Sequence, residues 1–209
     1  VRLLAPVLPS KVIAFGRNYV EHARELGNEV PAAPMFFLKP STSVIGTGAP
    51  IVLPWQSQEV SYEAELGVVI GRLCRDVAPE DVASVVLGYT CANDVTARDL
   101  QRTDGQWSRA KGFDSFCPLG PWISVGLDVT DVRIRCEVDG SLRQDGSTAL
   151  MVRGVPDLVA YASAAMTLLP GDVILTGTPA GVGLLEEGQR VDVSIDGIGR
   201  LVNPVVARG

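Results

Sequence analysis

Apolar and polar positions along the chain change period several times, and each change marks an element. Residues 11–15 read as a short buried strand and residues 18–26 as a short helix stopped by Gly27, with a loop rich in Pro and Ala beyond it. Residues 35–38, 51–53 and 59–70 are strand-like runs bounded by turn residues, so strands dominate the first third. Residues 79–87 place Val82, Val85 and Val86 at helical spacing, and residues 95–101 form a further short helix behind the candidate caps Asn93 and Asp94. In the C-terminal half, residues 134–138 run into Asp139-Gly140 and residues 191–195 into Asp196-Gly197, a hairpin-turn composition in both places. Residues 158–169 carry an amphipathic helical pattern between them. With no internal repeat, low-complexity tract or interdomain linker, the pattern predicts a strand-dominated α+β fold, closed or sandwich-like, with a few short helices. A doubly wound α/β sheet is not expected.

Composition narrows the function next. A chain of 209 residues can bury one large core, and residues 1–209 are read as one domain. Its hydrophobic content of 46% against 20% charged residues is that of a folded globular protein rather than a disordered one. A net charge of -6 with scattered Lys and Arg offers no basic face to a phosphate backbone, which sets nucleic acid aside. The longest apolar runs, 66–70 and 82–87, fall far short of the ~20 residues a membrane span needs, and no secretion signal opens the chain. The expected location is the cytoplasm. Cys74, Cys91, Cys117 and Cys136 are widely spaced, include no C-x-x-C pair, and read as reduced core thiols. The chain starts at Val1 and not at Met, from which a small missing upstream segment is expected.

Three acids carry the clearest chemical signal. In Ser61-Tyr62-Glu63-Ala64-Glu65-Leu66-Gly67-Val68-Val69-Ile70, a two-residue period puts Glu63 and Glu65 on one face and Tyr62, Ala64, Leu66, Val68 and Ile70 on the other. Two carboxylates ~6.6 Å apart on a strand repel each other, and a shared cation keeps both ionised. A solvent-facing strand with two exposed acids explains the same segment. Asp94, in Cys91-Ala92-Asn93-Asp94-Val95-Thr96, follows an apolar run and could reach the same ion from a strand end, or could cap the next helix. A single histidine and the lack of paired cysteines argue against a zinc site of nitrogen and sulfur ligands. Oxygen ligands favour Mg²⁺, with Mn²⁺ as its substitute and Ca²⁺ where the geometry is looser.

That histidine, His22, lies three positions before Glu25, so a helix would put both on one face. A carboxylate bonded to one ring nitrogen fixes the tautomer and frees the other nitrogen to take a proton near neutral pH. Surface decoration is the other reading of the pair. The sequence Thr176-Gly177-Thr178-Pro179-Ala180-Gly181-Val182-Gly183 imitates the glycine loop of short-chain dehydrogenases. Only 26 residues follow Gly183, Pro179 and the strand at residue 191 leave no room for a proper helix, and Tyr-x-x-x-Lys is absent. It reads as a turn, either lining a site with the Thr178 hydroxyl or purely structural.

Together these segments resemble the fumarylacetoacetate hydrolase superfamily along nearly the whole chain, from Gly16-Arg17-Asn18-Tyr19 to Gly177-Thr178-Pro179-Ala180-Gly181-Val182-Gly183. The resemblance implies a mixed β-sheet roll or sandwich of that family's type, and Mg²⁺ or Mn²⁺ on Glu63, Glu65 and Asp94. It implies a catalytic dyad of His22 and Glu25 on a lid that orders over substrate, and a catalytic lysine at Lys111 within Arg109-Ala110-Lys111-Gly112-Phe113. Substrate contacts fall by the same resemblance on Arg17, Gln101 and Thr178, and a homodimer is expected. Fumarylacetoacetases proper carry a further metal-binding acid shortly before the histidine, where this chain reads Ala14-Phe15-Gly16. The segment from Thr103-Asp104-Gly105-Gln106-Trp107 through Pro118-Leu119-Gly120-Pro121-Trp122 looks more like bacterial members labelled 2-hydroxyhepta-2,4-diene-1,7-dioate isomerase, acylpyruvate hydrolase or oxaloacetate decarboxylase.

The implied substrate is thus a small 2-oxo or 2-enol dicarboxylate from the breakdown of aromatic compounds. A metal that binds the carboxylate and adjacent carbonyl of a 2-oxo acid stabilises the enolate that forms in all three reactions. The alternative is a non-catalytic, metal-stabilised ligand-binding protein of the same fold, against which the intact His22, Glu25 and Lys111 argue.

Overall fold

A computed structural model describes residues 3–208. Strand β1 (Val12–Gly16) leads through helix α1 (Val20–Glu25) to β2 (Met35–Lys39). Short strands β3 (Val44–Ile45), β4 (Ile51–Leu53) and β5 (Val60–Tyr62) precede β6 (Ala64–Ile70), which pairs along its length with β7 (Val86–Asn93). Then come β8 (Thr96–Ala97), two short helices, α2 (Arg98–Thr103) and α3 (Ser108–Gly112), and β9 (Cys117–Ser124). The C-terminal half comprises β10 (Arg133–Val138), β11 (Ser141–Ser147), α4 (Val155–Ala165), β12 (Val173–Leu175), β13 (Gly183–Leu184), β14 (Arg190–Ile195) and β15 (Gly199–Ala207).

Seven strands form a mixed sheet in the order β2-β1-β12-β6-β7-β9-β3, five form a second in the order β11-β10-β14-β15-β4, and β13-β5-β8 make a small third. Within the large sheet only β1 with β12 and β3 with β9 run parallel. This is the strand-dominated α+β fold of few short helices that the apolar pattern predicts.

Apolar side chains cover both faces of the large sheet at its centre, where β6 and β12 are buried along their whole length. On β6, Leu66, Val68 and Ile70 join a core cluster that also holds Ile134 and Cys136 of β10 and Val191 and Val193 of β14, so the two large sheets share it. Val69 points the other way, into a second cluster with Val12, Ala14, Ala92, Leu119, Val173 and Leu175. The four cysteines are free and buried.

Several local expectations yield to tertiary pairing. The run over 59–70 is two strands, interrupted at Glu63, whose N–H donates to the Asn93 side chain at 2.9 Å. The segment read as a helix over 79–87 is a 3₁₀ turn, Pro79–Ser84, and Val86 already pairs with Ile70 in the sheet. Helix α2 begins only at Arg98, because Thr96 and Ala97 pair with β5 first. Helix α4 starts and ends earlier than residues 158–169: Pro156 sets its first turn, and Leu168 exchanges backbone hydrogen bonds with Cys74. At the β10–β11 turn both Asp139 and Gly140 have positive φ, the two-residue hairpin that Asp-Gly favours. The β14–β15 turn is one residue longer, with Ile195 opposite Gly199.

Leu66 is fully enclosed between the two large sheets. Leu66→Ala is expected to lower unfolding free energy by about 2–5 kcal/mol in urea titrations; a loss below about 1 kcal/mol would show that this core is not the one that holds the fold.

Candidate metal centre and active site

Glu63 occupies the break between β5 and β6, Glu65 the second position of β6, and Asp94 the residue just past β7. Antiparallel pairing sets Ala64 opposite Asn93, so the start of one strand and the end of the other deliver all three acids to one end of the sheet. The Asp94 N–H donates to the Glu63 carbonyl at 2.9 Å and fixes that junction. One oxygen from each carboxylate lies within 4.8 Å of the others. Glu63, Glu65 and Asp94 are only 4%, 1% and 1% exposed, which removes the reading of a solvent-facing strand. Nor does Asp94 cap a helix, since Ala97 precedes α2.

Three buried cations converge on these acids. Lys39, at the end of β2, pairs with Asp94 and also donates to the Val95 carbonyl at 3.3 Å. Arg98 of α2 pairs with Glu63. Lys111 of α3 donates to Glu63 Oε2 at 2.7 Å and Asp94 Oδ2 at 2.6 Å, with its ammonium 5.0 Å from the centre of the Phe37 ring. Buried charges persist only when paired and hydrogen-bonded, and the cations here engage Glu63 and Asp94. Glu65 is held instead by the Gly177 N–H at 2.6 Å.

The electrostatics divide accordingly. Burial opposes ionisation of Glu63, but Arg98 and Lys111 overcome it and hold its carboxyl well below the usual range. Burial, reinforced by the charges of Asp94 and Glu63, pushes Glu65 well above that range. Lys111 is raised: burial disfavours its charge, and Asp94 and Glu63 more than compensate. An oxygen-only donor set with one acid still short of positive charge fits a hard divalent cation.

A cavity of about 260 Å³ opens over the acids. Arg17, His22, Gln101, Lys111 and Thr178 line it together with the three carboxylates, while Glu25 stands behind His22. His22 Nδ1 is 3.4 Å from Glu25 Oε2, and Glu25 in turn accepts from the Gly181 N–H at 3.1 and 3.2 Å. His22 is 5% exposed, so it is not surface decoration. Burial lowers its pKa, the nearby Glu63 charge only partly offsetting this, and leaves the neutral imidazole as the form present at neutral pH. Gln101 accepts from Arg98 at 3.0 Å. The Thr178 hydroxyl donates to the Ala64 carbonyl at 2.8 Å and accepts from Gln144 at 2.7 Å, so its proton is already committed within the protein. The glycine loop is irregular between β12 and β13, with no helix on which a dinucleotide could rest.

Reading the sequence alone misses Lys39, Arg98, Asn93 and Gln144. Arg98 reaches Glu63, 35 residues away in sequence, and the residues between Asp94 and Arg98 are not helical, so local spacing does not reveal the pair. Lys39 offers only a lysine closing an apolar strand, and the partners of Asn93 and Gln144 come from distant segments.

Three buried carboxylates at one end of a mixed sheet, beneath a cavity that also presents His22 and Lys111, make a candidate metal-dependent active site. The chain matches the family described as fumarylacetoacetate (FAA) hydrolase, C-terminal, over residues 11–206, and it belongs to that family. It is 56% identical to 5-carboxymethyl-2-hydroxymuconate delta-isomerase from Mycobacterium smegmatis, with a TM-score of 0.94, covering 100% of this chain and 83% of that one. It is 45% identical to the oxaloacetate decarboxylase, mitochondrial, of Dictyostelium discoideum, over 90% of this chain and 89% of that one. A fumarylpyruvate hydrolase from Pseudomonas aeruginosa, solved in complex with Mn²⁺ and pyruvate, is 34% identical with a TM-score of 0.90 and full coverage of both chains. Among the described residues no helix is long and apolar enough to cross a membrane.

The raised Glu65 pKa has a measurable consequence. Its carboxyl holds a proton in the folded chain where the unfolded chain is ionised, so metal-free stability falls as pH rises through the folded-state value. A divalent cation binds the ionised form. The rise in Tm caused by Mg²⁺ or Mn²⁺ is therefore expected to be larger at about pH 8 than at about pH 6; scanning calorimetry showing an equal or smaller rise at the higher pH would contradict the assignment.

Proposed function

We propose that the protein is a divalent-metal-dependent enzyme acting on small 2-oxo or 2-enol dicarboxylates by isomerisation, carbon–carbon hydrolysis or decarboxylation. The observation that carries this reading is the buried acid triad, with Glu65 lacking a cation of its own, on the floor of a cavity that also presents His22 and Lys111. Glu63, Glu65 and Asp94 are the residues that would hold Mg²⁺ or Mn²⁺. When bound, the ion supplies a Lewis acid beside a 2-oxo acid, lowering the energy of the enolate.

The chain's own groups do the rest. Arg17 and Lys111 put positive charge on the cavity wall, where a carboxylate or a developing oxyanion is stabilised in water-poor surroundings. His22, neutral and oriented by Glu25, takes a proton from a water directed at the distal carbonyl in hydrolysis, or moves a proton along the substrate in isomerisation. Decarboxylation breaks the bond to CO₂ and needs no attacking water, so it depends less on His22. Arg17, Gln101 and Thr178 line the cavity as its substrate contacts, Gln101 also accepting from Arg98 and the Thr178 hydroxyl donating to the Ala64 carbonyl. For the unsaturated seven-carbon diacid, though not for oxaloacetate, the setting we propose is the breakdown of aromatic compounds.

Steady-state turnover of the dicarboxylates fumarylpyruvate, oxaloacetate and the unsaturated seven-carbon diacid, with Mg²⁺ or Mn²⁺ against a chelated control, tests this reading. Metal-dependent turnover of at least one is expected, and silence on all three by folded, metal-loaded protein would favour a binding role. Glu65→Ala is expected to abolish the metal-dependent rate. His22→Ala is expected to slow hydrolysis by about 10²–10⁴-fold and decarboxylation far less; equal losses would contradict the division of roles.

A further inference from the structure

Strand β11 is the edge of the five-stranded sheet, and its burial pattern is peculiar: Ser141, Leu142, Arg143 and Asp145 are exposed, while Gln144 between them is completely buried. A core-facing slot of this kind ordinarily takes an apolar side chain. Gln144 instead uses its amide in full. Its Oε1 accepts from the Ala64 N–H at 2.9 Å, and its Nε2 donates to Thr178 Oγ at 2.7 Å and to the Pro179 carbonyl at 2.7 Å.

Ala64 is the residue between Glu63 and Glu65, and Thr178 Oγ returns a hydrogen bond to its carbonyl at 2.8 Å. The three bonds close a ring: Ala64 to Gln144, Gln144 to Thr178, Thr178 to Ala64. Both backbone groups of the residue separating two acids are thereby clamped, and the loop that follows β12 is locked to the same point. That loop runs on to Gly181, whose N–H meets Glu25 and whose carbonyl accepts from Tyr62 at 3.1 Å. Gly181 has a φ of +100°, and a Cβ there would lie 2.2 Å from the Arg143 carbonyl, so hairpin and loop meet backbone to backbone beside Gln144. Glu25 is thus oriented by a loop that Gln144 anchors, and Glu25 orients His22.

We propose that Gln144 is a positioning residue: it holds the 177–181 loop in the place from which the Gly181 N–H fixes Glu25, and through Glu25 the ring of His22. It touches no substrate. The claim that this positioning serves catalysis rests on the function proposed above, whereas the positioning itself can be read without turnover, because the chain contains one histidine.

The test uses untagged, Mn²⁺-free but otherwise intact protein labelled with ¹⁵N at histidine, as wild type, Gln144→Glu and Gln144→Met. Gln144→Glu keeps an acceptor for the Ala64 N–H but loses both donors, and Gln144→Met fills the slot without a charge. Both variants are expected to change the His22 ring ¹⁵N resonances, giving a different tautomer balance or two sets of signals. At saturating Mn²⁺, Gln144→Glu is expected to lower kcat for acylpyruvate hydrolysis by about 10–100-fold while KM stays within about threefold. Oxaloacetate decarboxylation should fall much less. Unchanged His22 signals in a folded variant would overturn the proposal, as would equal losses in hydrolysis and decarboxylation. Failure of both variants to fold would also overturn it, assigning Gln144 a structural role alone. Displaced His22 signals in a protein whose wild type turns over none of the substrates would leave the positioning intact and remove the proposed function instead.

Discussion

Burying three carboxylates within 4.8 Å of one another is the constraint on which the rest of this structure depends. Like charges in a low-dielectric interior repel strongly, and removing water deprives each of its solvation. The fold answers with Lys39, Arg98 and Lys111, one from the end of a strand and one from each of two short helices. The placement of α2 and α3 is intelligible in these terms: they bring Arg98 and Lys111 to the mouth of the sheet where β6 begins and β7 ends. With Glu65 protonated, two ionised acids face three cations; a divalent ion that displaced that proton would leave the three acids matched by the three cations, and its own charge would be free for an anionic substrate to balance.

The backbone around the acids is built to tolerate this. The sheet ladder lapses at Glu63, and the Asn93 side chain takes over the hydrogen bond that a neighbouring strand would have made. The Gly177 N–H reaches Glu65, and Thr178 and Gln144 hold Ala64 from both sides. A loop that mimics a dinucleotide-binding turn in its glycines is in fact a clasp, joining the acid-bearing strand to the helix that carries His22 and Glu25. The glycines serve close backbone contact, as the approach of Gly181 to Arg143 illustrates.

Much of this was legible in the chain itself because it rests on local pattern. The alternation from Tyr62 to Ile70 correctly separates the face of Leu66, Val68 and Ile70 from that of Glu65 and Val69. Asp139-Gly140 announces its hairpin because only residues that accept positive φ fit there. The elements that local spacing does not disclose are those in which pairing partners outvote it, such as Val86, helical in period but paired with Ile70 in the sheet, or residues 96–97, paired with β5. The acids stand out because charged residues amid apolar ones are conspicuous. Lys39 and Gln144 do not, since their partners are 55 and 80 residues away in sequence and nothing local demands them.

The central claim is that the acid triad is a cation site and not merely a neutralised cluster of ion pairs. Diffraction from crystals grown with Mn²⁺, collected at the manganese absorption edge, tests it most directly. The account predicts one strong anomalous peak per chain, bonded to an oxygen from each of Glu63, Glu65 and Asp94. A peak bonded elsewhere, or none while Lys39, Arg98 and Lys111 remain the sole partners of the acids, would contradict it.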